Sequence, residues 1–133
     1  MNTLQKAHGS CLCGAVNFEF DFPSLWCAHC YCAMCRKAHG AGFVTWIGVA
    51  ESQFRLTGDR SALESYASSA GATRQFCDVC GSSLFFTSEK WPGEVHIALA
   101  CLDTPADREP ERNVFTDNKA HWIELVKLPA PKA

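Results

Sequence analysis

Two short stretches constrain this chain more than any other: Cys77-Asp78-Val79-Cys80-Gly81 and Cys11-Leu12-Cys13-Gly14. Two cysteines a few residues apart, followed at once by glycine, make a turn that aims both sulfurs at one point. The glycine takes up a backbone conformation that a side chain would resist. Each pair supplies half of a tetrahedral zinc site. If Cys11, Cys13, Cys77 and Cys80 share one ion, the start of the chain is clamped to its middle, and everything between them folds as one closed loop. Such a site is structural, and its loss unfolds the protein rather than merely silencing it.

The number of cysteines, nine, is high and odd. A disulfide scaffold calls for a secretory signal and, as a rule, an even count. Residues 1–8 lack the apolar core of a signal peptide, so reduced, metal-binding cysteines are the better reading. No apolar run is long enough to span a bilayer, and the expected setting is a soluble protein of the cytoplasm. Twelve basic and fourteen acidic residues, net −2, are scattered rather than blocked. That leaves no electrostatic footprint for nucleic acid or for an anionic membrane. At 133 residues and 47% hydrophobic, the chain suits a single domain over residues 1–133 with one core.

Between the cysteines the pattern is that of short strands. Val16, Phe18, Phe20 and Phe22 alternate with Asn17, Glu19 and Asp21, as a half-buried strand does. Residues 43–49, apolar and rich in β-branched and aromatic side chains, read as a buried strand. Further strands are expected at 54–57, 62–66, 84–87 and 95–100, with strands or strand fragments at 114–115 and 122–126, while 73–76 leads into the second cysteine turn. Residues 68–71 read as a loop, 91–93 as a turn, 104–112 as an exposed connection and 129–133 as a frayed tail. Residues 36–39 read as a helical turn closed by Gly40. The sum is an all-β chain with little helix, with zinc where a larger protein has more core.

A second set of thiols stands apart from the first. Cys30-Tyr31-Cys32-Ala33-Met34-Cys35 places three cysteines in six residues, close enough to converge on one ion. Structural zinc takes four protein ligands, whereas catalytic zinc keeps a position open for water or substrate. The seven cysteines split as four plus three, which is the main functional hint in the sequence. Arg36 and Lys37 follow directly; they favour thiolate over thiol and suit the carboxylate of an acidic substrate. A helix beginning near Cys32 adds its N-terminal dipole in the same sense. Two rivals stand beside the open trio: a closed site completed by Cys27 or His29, and a metal-free set of reactive thiols. Cys101 reads as a small buried side chain and His96 as a satisfied structural histidine. His39 and His121 carry little signal. Trp46, Trp91 and Trp122 read as core or rim, and Asp103 as a turn cap.

In order and wording these motifs resemble the family of glutathione-dependent formaldehyde-activating enzymes and centromere protein V. Gly9-Ser10-Cys11-Leu12-Cys13-Gly14-Ala15-Val16 is similar to its opening motif. Cys30-x-Cys32-x-x-Cys35-Arg36-Lys37, with Gly40, is similar to the middle one. Arg74-x-Phe76-Cys77-x-x-Cys80-Gly81-Ser82 is similar to the third. Leu102-Asp103 and Lys119-Ala120-x-Trp122 match weaker late signatures, so that the likeness runs over about residues 9–125. Tyr31 stands where the family commonly has histidine.

The resemblance implies an Mss4-like β-tent, with antiparallel sheets joined over zinc. It implies structural zinc at Cys11, Cys13, Cys77 and Cys80, and a second, labile zinc at Cys30, Cys32 and Cys35, the trio that would carry catalysis. It implies carbon–sulfur lyase chemistry on a small thiol adduct such as S-hydroxymethylglutathione, with Arg36 or Lys37 orienting the carboxylates of glutathione. Two other functions are weighed beside it: a non-catalytic zinc-stabilised interaction module, and a thiol redox or metal-buffering protein.

Overall fold

Period-two alternation governs how this chain layers. The computed structural model describes residues 5–130. Its strands are β1 (Lys6–Ser10), β2 (Asn17–Asp21), β3 (Trp26–Cys30), β4 (Val44–Ala50), β5 (Phe54–Thr57), β6 (Leu63–Ser69), β7 (Ala72–Cys77), β8 (Ser83–Ser88), β9 (Glu94–Ala98) and β10 (Arg112–Val114), with a single α-helix among the described residues, α1 (Ala33–His39). A small sheet has the order β1-β2-β5, and a large one the order β10-β3-β4-β9-β8-β7-β6. Every ladder is antiparallel except β10 on β3.

The core lies between the two sheets. Phe18 and Phe20 of β2 meet Cys27 of β3, Ile47 and Val49 of β4, Leu84 and Phe85 of β8, and Val95 and Ile97 of β9, all buried. Phe85 meets Phe18 edge-on at 5.0 Å between ring centroids. Each such side chain contributes about 1.5–3 kcal/mol by leaving water. Leu84 and Phe85 are consecutive yet both face this core. The ladder explains it: Gln75 pairs with Phe85 but Phe76 with Ser83, so β8 carries one extra residue there and the alternation slips by one.

Alternation sends the other residues of the large sheet to its opposite face. Trp26, Ala28 and Cys30 of β3, Trp46 of β4, Glu94 and His96 of β9, Phe86 of β8, and Ala72 and Arg74 of β7 line one cavity there.

Four expectations need correction. Residues 122–126 form no strand: they find no ladder partner, Trp122 is 65% exposed, and the Lys119 ammonium, donating to the carbonyls of Ala120 and Ile123, ties this stretch locally instead. The fragment expected at 114–115 is instead Arg112–Val114; Phe115 leaves the strand with φ 54°. The loop expected at 68–71 shrinks to a tight connection between β6 and β7. β1 and β3 were not expected as strands. The helical turn is longer than residues 36–39 and ends at Gly40, φ 61°. Of the tail, 131–133 lie outside the described residues, as do 1–4 of the segment read for a signal peptide. No helix among the described residues is long and apolar enough to cross a membrane.

Candidate metal centres and cavity

The sulfurs of Cys11, Cys13, Cys77 and Cys80 all lie within 4.8 Å of one another. Cys11 follows β1 and Cys77 ends β7, so the ladders of two different sheets bring the pairs together. Each pair is a closed turn. Gly14 N–H donates to the Cys11 carbonyl at 3.1 Å and Gly81 N–H to the Cys77 carbonyl at 2.8 Å. Gly14 and Gly81 have φ of 84° and 82°, the left-handed region where a side chain is strained. The Leu12 amide, donating to the Ser82 hydroxyl at 3.0 Å, stitches one turn to the other.

Two of the sulfur separations are 3.7 Å and 3.8 Å. Four thiolates at 2.3 Å from a tetrahedral zinc stand about 3.8 Å apart, so donor set and spacing both fit the ion. The Ser82 hydroxyl at 3.2 Å from the Cys80 sulfur lowers that thiol, with backbone help, to about 5. Cys80 therefore favours the thiolate a metal needs, as Cys11 does, whereas Cys13 is shifted the other way.

Cys30, Cys32 and Cys35 likewise lie within 4.8 Å of one another, with 3.6 Å between Cys30 and Cys35. Cys30 ends β3, Cys32 is the residue before the first turn of α1, and Cys35 lies within that turn. The Cys35 amide donates to the Cys32 sulfur at 3.3 Å. Hydrogen bonds from the Cys30 and Cys35 thiols, with that amide and the Arg74 charge, lower Cys32 to about 2 in spite of its burial. These contacts favour the thiolate at Cys32, which is less buried than Cys30 and Cys35.

Neither expected rival completes this site. Cys27 is fully buried in the core between the sheets, on the other face of β3. His29 Nδ1 pairs with the Thr45 hydroxyl at 2.7 Å, and its ring meets Phe43 edge-on at 5.1 Å. Among the described residues only three donors converge here, and all three line the cavity of about 1080 Å³.

The cation that faces the trio is Arg74 of β7. Its Nη2 donates to the Cys35 sulfur at 3.5 Å, and its Cζ stands 4.8 Å above the Phe86 ring. Its Nη1 is buried with no partner among the described residues. Lys90 and Arg112 also line the cavity, and neither makes an ion pair among the described residues. Arg36 and Lys37 do not line it. They directly follow Cys35 on α1 but line a smaller depression with Gly40, Ala41, Gly42 and Trp122. Arg36 Nη2 donates there to the Asn118 carbonyl at 3.2 Å.

Tyr31, between two trio cysteines, turns away from them. It is fully buried; its hydroxyl donates to Asn113 Oδ1 at 3.1 Å and accepts from the Val126 amide at 2.8 Å. His96 is buried and held by Glu94 at 3.0 Å, yet it faces the cavity, as do Trp46 and Trp91. Cys101 is half-buried, its thiol 3.7 Å from the Ser83 carbonyl. Asp103 caps no turn; it accepts from the Ser10 hydroxyl at 2.6 Å and so ties β1 to a distant loop.

Comparison with known proteins agrees with this geometry. A family model described as glutathione-dependent formaldehyde-activating enzyme matches residues 6–118. A Halomonas elongata protein whose name carries the same description is 32% identical over 132 residues, 88% of this chain and 79% of its own. A Schizosaccharomyces pombe protein described as an uncharacterised lyase is 32% identical over 85 residues, 62% of this chain and 58% of its own. The crystal structure of a Rhodobacter sphaeroides protein superimposes with a TM-score of 0.66 at 25% identity, over 80% of this chain and 99% of that one. The fold is the all-β, Mss4-like one expected, and the chain belongs to the glutathione-dependent formaldehyde-activating enzyme family.

Proposed function

We propose that the chain catalyses the reversible addition of a small acidic thiol, such as glutathione, to a carbonyl compound. In the forward direction the thiol S–H and the carbonyl π bond break, a C–S bond forms, and the proton ends on the adduct's new hydroxyl. Nothing is oxidised or reduced. The reverse is a carbon–sulfur lyase reaction, of which cleavage of S-hydroxymethylglutathione is the simplest case. The observation that carries this reading is the trio: three converging sulfurs, no fourth protein ligand among the described residues, and a large cavity in front of them. A zinc ion held by Cys30, Cys32 and Cys35 would supply a Lewis-acidic centre able to bind a thiolate or polarise a carbonyl oxygen.

The chain's own groups do the rest. Arg74 keeps one guanidinium nitrogen on Cys35 and puts its positive charge on the cavity wall, where it favours the negative charge that develops on oxygen. Lys90 and Arg112 suit the two carboxylates of a glutathione-like peptide. Arg36 and Lys37, outside the cavity, are left with helix and loop contacts. The Cys11, Cys13, Cys77 and Cys80 quartet holds the sheets and takes no part in the chemistry.

The test is Cys32→Ser, followed by NMR exchange between formaldehyde, glutathione and their adduct. Loss of at least 100-fold in the enzymatic rate (about 2.7 kcal/mol), with an intact far-ultraviolet spectrum, is expected. A rate equal to that of the parent would refute the role of the trio.

A further inference from the structure

One carbon fills little of this cavity. Its wall beyond the trio is aromatic: Trp26, Trp46, Phe86 and Trp91 line it around the buried His96. The Trp26 ring meets His96 edge-on at 4.6 Å, Trp91 lies 5.3 Å from it and Phe86 5.7 Å. Phe86 also stands 6.1 Å from Trp46 and 6.3 Å from Trp91. The Trp26 indole N–H donates to Glu94 Oε1 at 3.0 Å, the same oxygen that holds His96. Trp26 and His96 are therefore held in place before anything binds. The wall begins one guanidinium away from the sulfurs, since Arg74 touches both Cys35 and Phe86. At the mouth stands Phe115, 51% exposed and held at φ 54°, a conformation that costs a bulky residue.

A glutathione-like peptide is charged and polar along its length and matches the rim cations, not four aromatic rings. We propose that the carbonyl-derived half of the substrate is bulky and apolar, an aromatic ring or a hydrocarbon of similar size, and that it seats between this wall and Phe115. The proposal rests on the thiol–carbonyl reading above and names its substrate class: the hemithioacetal of an aromatic or long-chain aldehyde. The addition balances as before. Aromatic partners prefer edge-to-face or offset packing, and four rings at these spacings around an open cavity offer such faces.

The experiment compares two stable thioethers on the zinc-loaded full chain by calorimetry: S-benzylglutathione and S-methylglutathione. The benzyl compound is expected to bind at least tenfold more tightly, about 1.4 kcal/mol. Trp91→Ala and Phe115→Ala are each expected to cut that preference below threefold, with the methyl compound as the reference in every variant. Phe115 is an exposed loop residue, so its variant reports even if the Trp91 variant folds poorly. Equal binding of the two thioethers, or a preference that survives in Phe115→Ala, overturns the proposal. The measurement needs no turnover. A benzyl preference without catalysis in the NMR assay would sink the enzymatic reading and keep the aromatic seat. Turnover of S-hydroxymethylglutathione without a benzyl preference would do the opposite.

Discussion

Replacing Tyr31 by phenylalanine removes one oxygen and two hydrogen bonds. The hydroxyl donates to Asn113 Oδ1 at 3.1 Å and accepts from the Val126 amide at 2.8 Å; Asn113 Nδ2 closes the ring on the Val126 carbonyl at 3.0 Å. Tyr31 thereby fastens β3 and β10 to the chain beyond residue 119. Each bond is worth about 1 kcal/mol net, and leaving an amide and an amide oxygen unpaired in a half-buried place brings the total to about 2–3 kcal/mol. For a domain of this size each kcal/mol moves the melting midpoint by about 3–4 °C, so a fall of roughly 6–12 °C is expected. A thermal melt with matched metal content measures it. Metal stoichiometry and the rate of adduct exchange are expected to stay within twofold, because the ring points away from the trio. A midpoint within about 2 °C of the parent, or a changed metal content, would refute this account of why tyrosine can stand where the family commonly has histidine.

Three more outcomes are expected. Cys77→Ser should abolish the cooperative melt, since it removes a ligand that joins the two sheets; retention of a sharp transition would show that the quartet is dispensable. Gly48→Ala places a methyl 2.7 Å from Trp26 Cζ2, which displaces an indole bonded to Glu94; urea titration should show a loss of about 1–3 kcal/mol, and no loss would mean that Trp26 swings aside freely. Arg55 bonds Glu19 across the β2–β5 ladder and Asp21 beside it, and its guanidinium holds both carboxyls below their ordinary range. A lowered carboxyl stabilises the fold above its unfolded pKa and ceases to as pH falls through its folded one. Arg55→Met should therefore differ from the parent in urea midpoint at pH 7, and the gap should close only as pH falls below the ordinary carboxyl range near pH 4 and through the lowered folded pKa; a difference independent of pH would contradict this.

What was legible in the sequence was whatever repeats over short distances. Cysteine spacing marked both sets of metal donors, and Val16–Phe22 alternation marked β2 because its inward residues are large. β1 escaped notice because its inward residues are Ala7 and Gly9, too small to announce a buried face. β3 was hidden by its own cysteines: Trp26-Cys27-Ala28-His29-Cys30 reads as a ligand motif before it reads as a strand. The expected strand at 122–126 shows the converse, apolar residues at plausible spacing with no partner strand to pair with. Arg74 stood in the third motif, yet its place beside Cys35 depends on β4, β9 and β8 lying between β3 and β7 in the sheet order, and no local pattern encodes that. Arg36 and Lys37 were adjacent in sequence and drew the attention instead. The cavity was likewise invisible as a whole. Trp46 and Trp91 read as core or rim and His96 as a structural histidine; the pleat of the large sheet puts Trp46 and His96 on one face, and the turn between β8 and β9 brings Trp91 to it.

The claim on which everything else stands is that four sulfurs build the scaffold while three leave their ion within reach. Metal content by elemental analysis during a graded chelator titration, with circular dichroism on the same samples, tests it most directly. The account predicts two zinc equivalents per chain, the first lost with the fold intact and the second lost together with the fold. A single equivalent, or the release of both in one step with unfolding, would contradict it.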